Sequence, residues 1–128
     1  MKTSIRNKVY EKYNGRCAYT GKLLDGTWQV DHVTSRFEYS FHNKSGVDNI
    51  DNLLPAMIIV NHYKRSKNLE QFRDYMFTFH TRLSKLPKKT GVERTKKRIE
   101  YMNEIASLFD ISIDKPFNGT FYFENLRQ

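Results

Sequence analysis

The 128-residue chain predicts an α+β fold, and three observations carry the prediction. Trp28, Val30 and Val33 recur at strand-like intervals, a turn-rich segment precedes them, and apolar residues return at helical spacing over 3–14, 68–86 and 92–109. With six glycines, three prolines and 14% aromatic residues, the composition is that of a folded chain with one modest core. A single domain over 1–128 is expected, with a core motif at about 16–67 and a helical extension at about 68–128.

The elements follow in order. Residues 3–14 read as a helix capped by Ser4, packed through Ile5, Val9 and Tyr13 and ended by Asn14-Gly15. Its polar face carries Lys2, Arg6, Lys8 and Lys12, read either as a solvated face or as contacts to a polyanion. Residues 16–33 read as a hairpin, with Cys17–Leu24 as one arm, Asp25-Gly26 as the turn and Thr27–Val33 as the other arm. A long aromatic and polar connection fills 34–50, and connections of this length are often functional. Asp51 or Asn52 then caps a helix over Ala56–Lys67, with Pro55 in its first turn. Leu69, Phe72, Met76, Phe79, Leu83 and Leu86 form the apolar stripe of a helix over 68–86. Leu86-Pro87 to Gly91 breaks the chain, and 92–109 is a helix packed through Ile99, Met102, Ile105 or Ala106, and Phe109. Phe117–Glu124 reads as a terminal strand or hairpin.

Charge adds direction. Residues 1–98 hold 20 of the 22 basic residues against nine acidic ones, whereas residues 99–128 are net acidic. Such polarity favours a polyanionic partner for the first part of the chain, and nucleic acid is the commonest. No apolar run reaches the ~18 residues of a membrane span, and the first residues lack a signal-peptide core, so a cytoplasmic protein is expected. The single Cys17 excludes an intrachain disulfide and a multi-thiolate zinc site.

The chemistry-bearing residues lie between Trp28 and Lys67. Asp31-His32 ends the β-type run, Asn52 follows twenty residues after His32, Asn61 nine later, and Lys64 one helical turn beyond. Their order and spacing resemble the HNH motif of the ββα-metal (His-Me finger) endonucleases, including the HNH domain of CRISPR effector nucleases. The Arg-Cys-Ala-Tyr-x-Gly-Lys-x-Leu segment from Arg16 resembles the zinc knuckle that opens many HNH proteins. The four zinc-ligand positions are here Cys17, Thr20, Met57 and Val60, so hydrophobic packing is expected in place of a structural zinc.

The resemblance covers about 5–67. It implies a ββα-metal core with an N-terminal helix and added C-terminal helices, and a metal-dependent DNA endonuclease of bacterial, phage or mobile-element origin. By the same resemblance His32 is the general base, Asp31 and Asn61 hold one Mg²⁺ or Mn²⁺, and Asn52 ties the loop that positions the histidine. Cleavage would leave 5′-phosphate and 3′-hydroxyl ends. Lys64 is expected to contact the phosphate or screen developing charge. His62, one residue and about 100° around the helix from Asn61, is the alternative metal ligand. Arg36, Lys44, Arg65, Lys67, Lys88, Lys89, Lys96 and Lys97 are the expected nucleic-acid contacts. One site per monomer implies nicking, with double-strand cleavage from a homodimer or from successive nicks. RNA stands as an alternative substrate. Two rival readings stand beside the enzyme: a nucleic-acid-binding module that keeps the shape without turnover, and a packaging accessory beside a larger nuclease.

Overall fold

In a computed structural model of the chain, residues 2–34, 46 and 48–126 are described. They form a small α+β protein. Helix α1 (Thr3–Glu11) leads to strand β1 (Gln29–His32), a 3-10 turn (Ile50–Asn52), strand β2 (Leu53–Ala56) and helix α2 (Ile58–Lys64). Helices α3 (Leu69–Phe77), α4 (Phe79–Ser84) and α5 (Glu93–Leu108) follow, and a 3-10 turn (Tyr122–Leu126) closes the chain. Two compact units are distinguished: residues 1–72 with 121–128, and residues 73–120. Among the described residues no helix is long and apolar enough to cross a membrane.

The first unit is built around β1 and β2, an antiparallel pair in the register Gln29↔Ala56, Val30↔Pro55, Asp31↔Leu54 and His32↔Leu53. The expected partner of the 27–33 arm was Cys17–Leu24; the observed partner is Leu53–Ala56. Residues 16–24 close on themselves instead, with an Arg16–Leu23 bridge, Cys17 N–H on the Lys22 carbonyl and Leu24 N–H on the Gly15 carbonyl. The expected cap and first turn at 51–56 is therefore replaced by the end of the 3-10 turn and strand β2. Pro55 accounts for this: it biases Leu54 toward extended backbone and gives up no ladder bond where it pairs with Val30. Its carbonyl points away from β1 and accepts from Ala18 N–H at 2.8 Å, which ties the knuckle to the sheet.

Helix α1 starts at Lys2 rather than Ser4, and no side chain caps it. It ends at Glu11, three residues short of the expected 14, and the turn that follows closes at Asn14 and Gly15, both at positive φ, with Gly15 N–H returning to the Tyr10 carbonyl. Two of its basic residues are structural. Arg6 donates to the Trp28 carbonyl at 2.7 Å with its guanidinium 3.8 Å from the indole centroid, and Lys12 Nζ donates to the Ile50 and Leu53 carbonyls at 3.0 and 2.6 Å. Burial pushes the Lys12 ammonium down from its ordinary pKa, against the pull of Asp51.

The core of this unit includes Val9, Cys17, Ala18, Tyr19, Leu53, Leu54, Ala56, Val60, Phe72 and Phe121, all buried. The zinc-knuckle positions converge within it. Met57 N–H points at Cys17 Sγ at 3.5 Å, the Thr20 hydroxyl at Met57 Sδ at 3.7 Å, and Val60 has no exposed surface. The tail is not a strand: Phe121 enters the core, and Tyr122 and Phe123 N–H bind the Tyr19 and Ala18 carbonyls before the closing 3-10 turn.

The second unit packs α4 and α5 through Phe79, Leu83, Met102, Ile105, Ala106 and Phe109, joined by Ile111 and Phe117. The predicted 68–86 helix is interrupted at Thr78. In an unbroken helix the Tyr75 carbonyl would accept from Phe79 N–H. Here it accepts from the Thr78 hydroxyl at 3.1 Å and from Arg82 Nη2 at 2.7 Å, a side-chain competition that breaks the ladder. Helix α5 ends at Asp110 in the left-handed region, with Ile111 N–H on the Ala106 carbonyl.

Candidate functional site

Strand alternation sends Gln29 and Asp31 to one face of β1 and Val30 and His32 to the other. Helix α2 meets the first face. Its residues Asn61 and Lys64, three apart, lie on one side of the helix and pair with Gln29 and Asp31, two apart on the strand: Asn61 Nδ2 donates to Gln29 Oε1 at 2.7 Å, and Lys64 Nζ to Asp31 Oδ1 at 3.2 Å. The side chains of Asp31 and His32 thus keep to different partners, Lys64 and Tyr19 for the carboxylate and Asp48 for the imidazole.

Asp31 is 4% exposed and both its oxygens are engaged, Oδ1 by Lys64 and Oδ2 by the Tyr19 hydroxyl. Lys64 is 1% exposed. An ammonium has three N–H donors, and all three have acceptors here: Asp31 Oδ1, the His32 carbonyl at 3.0 Å and the Lys67 carbonyl at 2.5 Å. Lys64, expected to contact the phosphate or screen developing charge, points inward as folded. Its protons are committed inside the fold, and it ties the end of β1 to the C-terminus of α2. Arg65 adopts φ 58°, a conformation costly for a residue with a side chain, and the turn there lets the Lys67 carbonyl reach back to Nζ.

Burial dominates the electrostatics. It pushes the Asp31 carboxyl up against the opposing pull of Lys64 and Tyr19, and it lowers the Lys64 ammonium although Asp31 favours its charge. The Tyr19 phenol is raised well above 10, by burial first and the Asp31 charge second. A folded-state pKa above the unfolded one means stability that is present below pH 10 and lost as the pH rises beyond it. Between pH 9 and 11 the urea midpoint of the native chain is expected to fall more steeply than that of Tyr19→Phe; parallel slopes would show that Tyr19 ionises within the fold.

His32 stands at the end of β1 with its side chain 16% exposed. The backbone at His32 and the two residues after it is held. Lys64 holds the His32 carbonyl, Val33 N–H binds the Asn52 carbonyl at 3.0 Å, and the Asn52 side chain clamps Thr34, accepting from its N–H at 2.8 Å and donating to its carbonyl at 3.1 Å. Asn52 is 8% exposed and acts as a loop clamp, not as a helix cap. The His32 ring pairs through Nε2 with Asp48 Oδ1 at 2.9 Å. Asp48 went unnoticed in the sequence, where only its place in the connection before Asn52 signals it.

One carboxylate and one amide oxygen, with waters, are the donor chemistry of Mg²⁺ or Mn²⁺. As folded, Asp31 does not fit that ion: its charge is already balanced by an ammonium and its oxygens are both taken, while Asn61 gives its Nδ2 to Gln29. Among the described residues no three His, Cys, Asp or Glu side chains gather as a metal site. His62 is exposed on the helix, away from the Asn61 direction. Of the expected nucleic-acid contacts, Arg65, Lys88, Lys89, Lys96 and Lys97 are exposed and Lys67 is half-buried; Arg36, Lys44 and the aromatic residues beside them lie outside the described residues. Compared with protein-family models, curated proteins and solved structures, the chain matches none.

Proposed function

We propose that the chain is an HNH-type endonuclease that hydrolyses DNA phosphodiester bonds, with His32 as the general base and the strand pair and α2 as its ββα core. The observation that carries the reading is the placement of His32: a partly exposed imidazole on a strand end whose carbonyl is held by Lys64, with Asn52 clamping the backbone at Thr34 just beyond. A base must be held within hydrogen-bond reach of the proton it removes, and imidazole titrates near neutral pH, so it can take a proton from water attacking phosphorus and release it afterwards. The exposed Arg65, on the same unit as His32, supplies positive charge for a polyanion. With one histidine site per chain, nicking is the expected product.

Asp31 is committed to Lys64 and Tyr19, so the proposed chemistry is carried by His32 and the attacking water. The engaged Asp31 favours a second reading, a nucleic-acid-binding or packaging module that keeps this shape without turnover, alone, as a homodimer or beside a larger nuclease. One assay separates them: supercoiled-plasmid nicking by the native chain and His32→Ala, in Mg²⁺, in Mn²⁺ and in EDTA, beside a gel shift. Native nicking that drops about 10²–10⁴-fold in His32→Ala is the expected result, the range typical of a lost general base. Nicking that stops in EDTA would return a divalent cation to the chemistry and require Lys64 to release Asp31. DNA shifted by both proteins and cut by neither gives the site to the binding module, and RNA in place of plasmid tests the other polyanion.

A further inference from the structure

We propose that Asp48 is the positioning residue of His32, fixing its tautomer so that Nδ1 is the nitrogen that accepts the proton. The inference rests on His32 as the base and names which atom acts and what holds it.

His32 Nε2 and Asp48 Oδ1 are 2.9 Å apart. An ionised carboxylate only accepts hydrogen bonds, so the hydrogen between them belongs to Nε2. The neutral ring then carries its lone pair on Nδ1. The pairing also opposes the positive charge that grows on the ring as Nδ1 takes up a proton, the role a carboxylate plays beside a catalytic histidine in hydrolases. As one water O–H bond breaks, its proton moves to Nδ1 and the new O–P bond forms; the P–O bond to the leaving oxygen breaks, that oxygen takes a proton from solvent water, and Nε2 keeps its own hydrogen throughout.

The turn that carries Asp48 is built to hold it. Asn49 N–H binds the Gly46 carbonyl at 3.0 Å, and Asn52 N–H binds the Asn49 carbonyl at 2.8 Å. Gly46 sits at φ 88°, a backbone conformation strained for any residue with a side chain, so this turn favours glycine. The same 46–52 segment ends in Asn52, the clamp on Thr34. One short turn therefore fixes both the backbone beyond His32 and the far nitrogen of its ring. Asp48 is half-exposed and outside the core, so its replacement is compatible with folding.

The test reads the ring nitrogens directly. Uniformly ¹⁵N-labelled protein at a pH where His32 is neutral is compared by long-range ¹H–¹⁵N correlation as native, Asp48→Ala and Asp48→Asn, with thermal unfolding as the folding control. The native ring is expected to show a protonated Nε2 and a bare Nδ1. Asp48→Ala should give averaged ring shifts and nick plasmid about 10–100-fold more slowly, the scale of losing a group that orients a histidine. Asp48→Asn, whose amide oxygen accepts the same bond, should restore the native tautomer and recover much of the rate. A native ring protonated at Nδ1, or one whose nitrogens are unchanged in Asp48→Ala, overturns the proposal. Because the spectrum needs no substrate, a native tautomer in a protein that does not nick would sink the nuclease reading and leave the pairing standing.

Discussion

Lys64→Ala is expected to destabilise the chain by about 3–5 kcal/mol, a large fraction of the stability of a small domain. The cause is what stays behind. Asp31, 4% exposed, keeps a carboxylate with its opposite charge removed, and the His32 and Lys67 carbonyls lose the donor that satisfied them. A buried unpaired charge is far more costly than the net value of the intact pair. Urea unfolding should show this as a midpoint lowered by roughly 1.5–2.5 M, for a slope near 2 kcal/mol/M. Arginine is not a substitute, since its planar fork does not match three acceptors arranged around one nitrogen. The double variant Asp31→Leu, Lys64→Met removes both charges and is expected to be far closer to the native stability than Lys64→Ala. A single variant that loses under about 1 kcal/mol would mean that water reaches Asp31, and the inward placement of both side chains would fall with it.

The same lysine shows where sequence reasoning reaches and where it stops. Helical periodicity locates α1 and α5 closely, and Asn14-Gly15 closes the turn after the first helix for the stated conformational reason. The Asn61–Lys64 spacing does place both residues on one face. What spacing cannot convey is which neighbour that face meets. Lysine is ordinarily exposed, so Lys64 suggests a phosphate contact; its burial follows only once Asp31 is seen opposite it across the strand–helix contact. Strand partners are hidden for a related reason. The Trp28–Val33 alternation indicates a strand without naming its mate, and a tight turn at Asp25-Gly26 favours the local pairing over the true one with Leu53–Ala56. Thr78 hides its break because the competition for the Tyr75 carbonyl depends on Arg82, a turn further along. Asp48, sixteen residues from His32 and inside a loop, has no periodicity to expose it.

Phe121→Ala is expected to cost about 3–5 kcal/mol, because a fully buried aromatic ring leaves a cavity that its rigid neighbours cannot close. The three rings interlock. Phe121 stacks on Phe72 with centroids 5.4 Å apart and planes within 7°, and Tyr19 meets both edge-on, 5.1 Å from Phe121 and 5.4 Å from Phe72. Such pairs contribute beyond the area they bury. Tyr19 is also the residue whose hydroxyl donates to Asp31, so the C-terminal aromatic holds the ring that holds the carboxylate that holds Lys64. The loss should therefore be felt at the site as well as in the core. A double-mutant cycle of Phe121→Ala with Tyr19→Phe tests this by unfolding free energy. If Phe121 positions the phenol, removing the hydroxyl from a chain already lacking the ring costs less than removing it from the native chain, with a coupling between about 0.5 and 3 kcal/mol. Additivity within about 0.3–0.5 kcal/mol would separate the tail from the site and reduce Phe121 to a filler of volume. Phe121→Leu sharpens the distinction: it refills most of the cavity without a ring face, so a small stability loss accompanied by the full coupling would assign the positioning of Tyr19 to the aromatic contact itself.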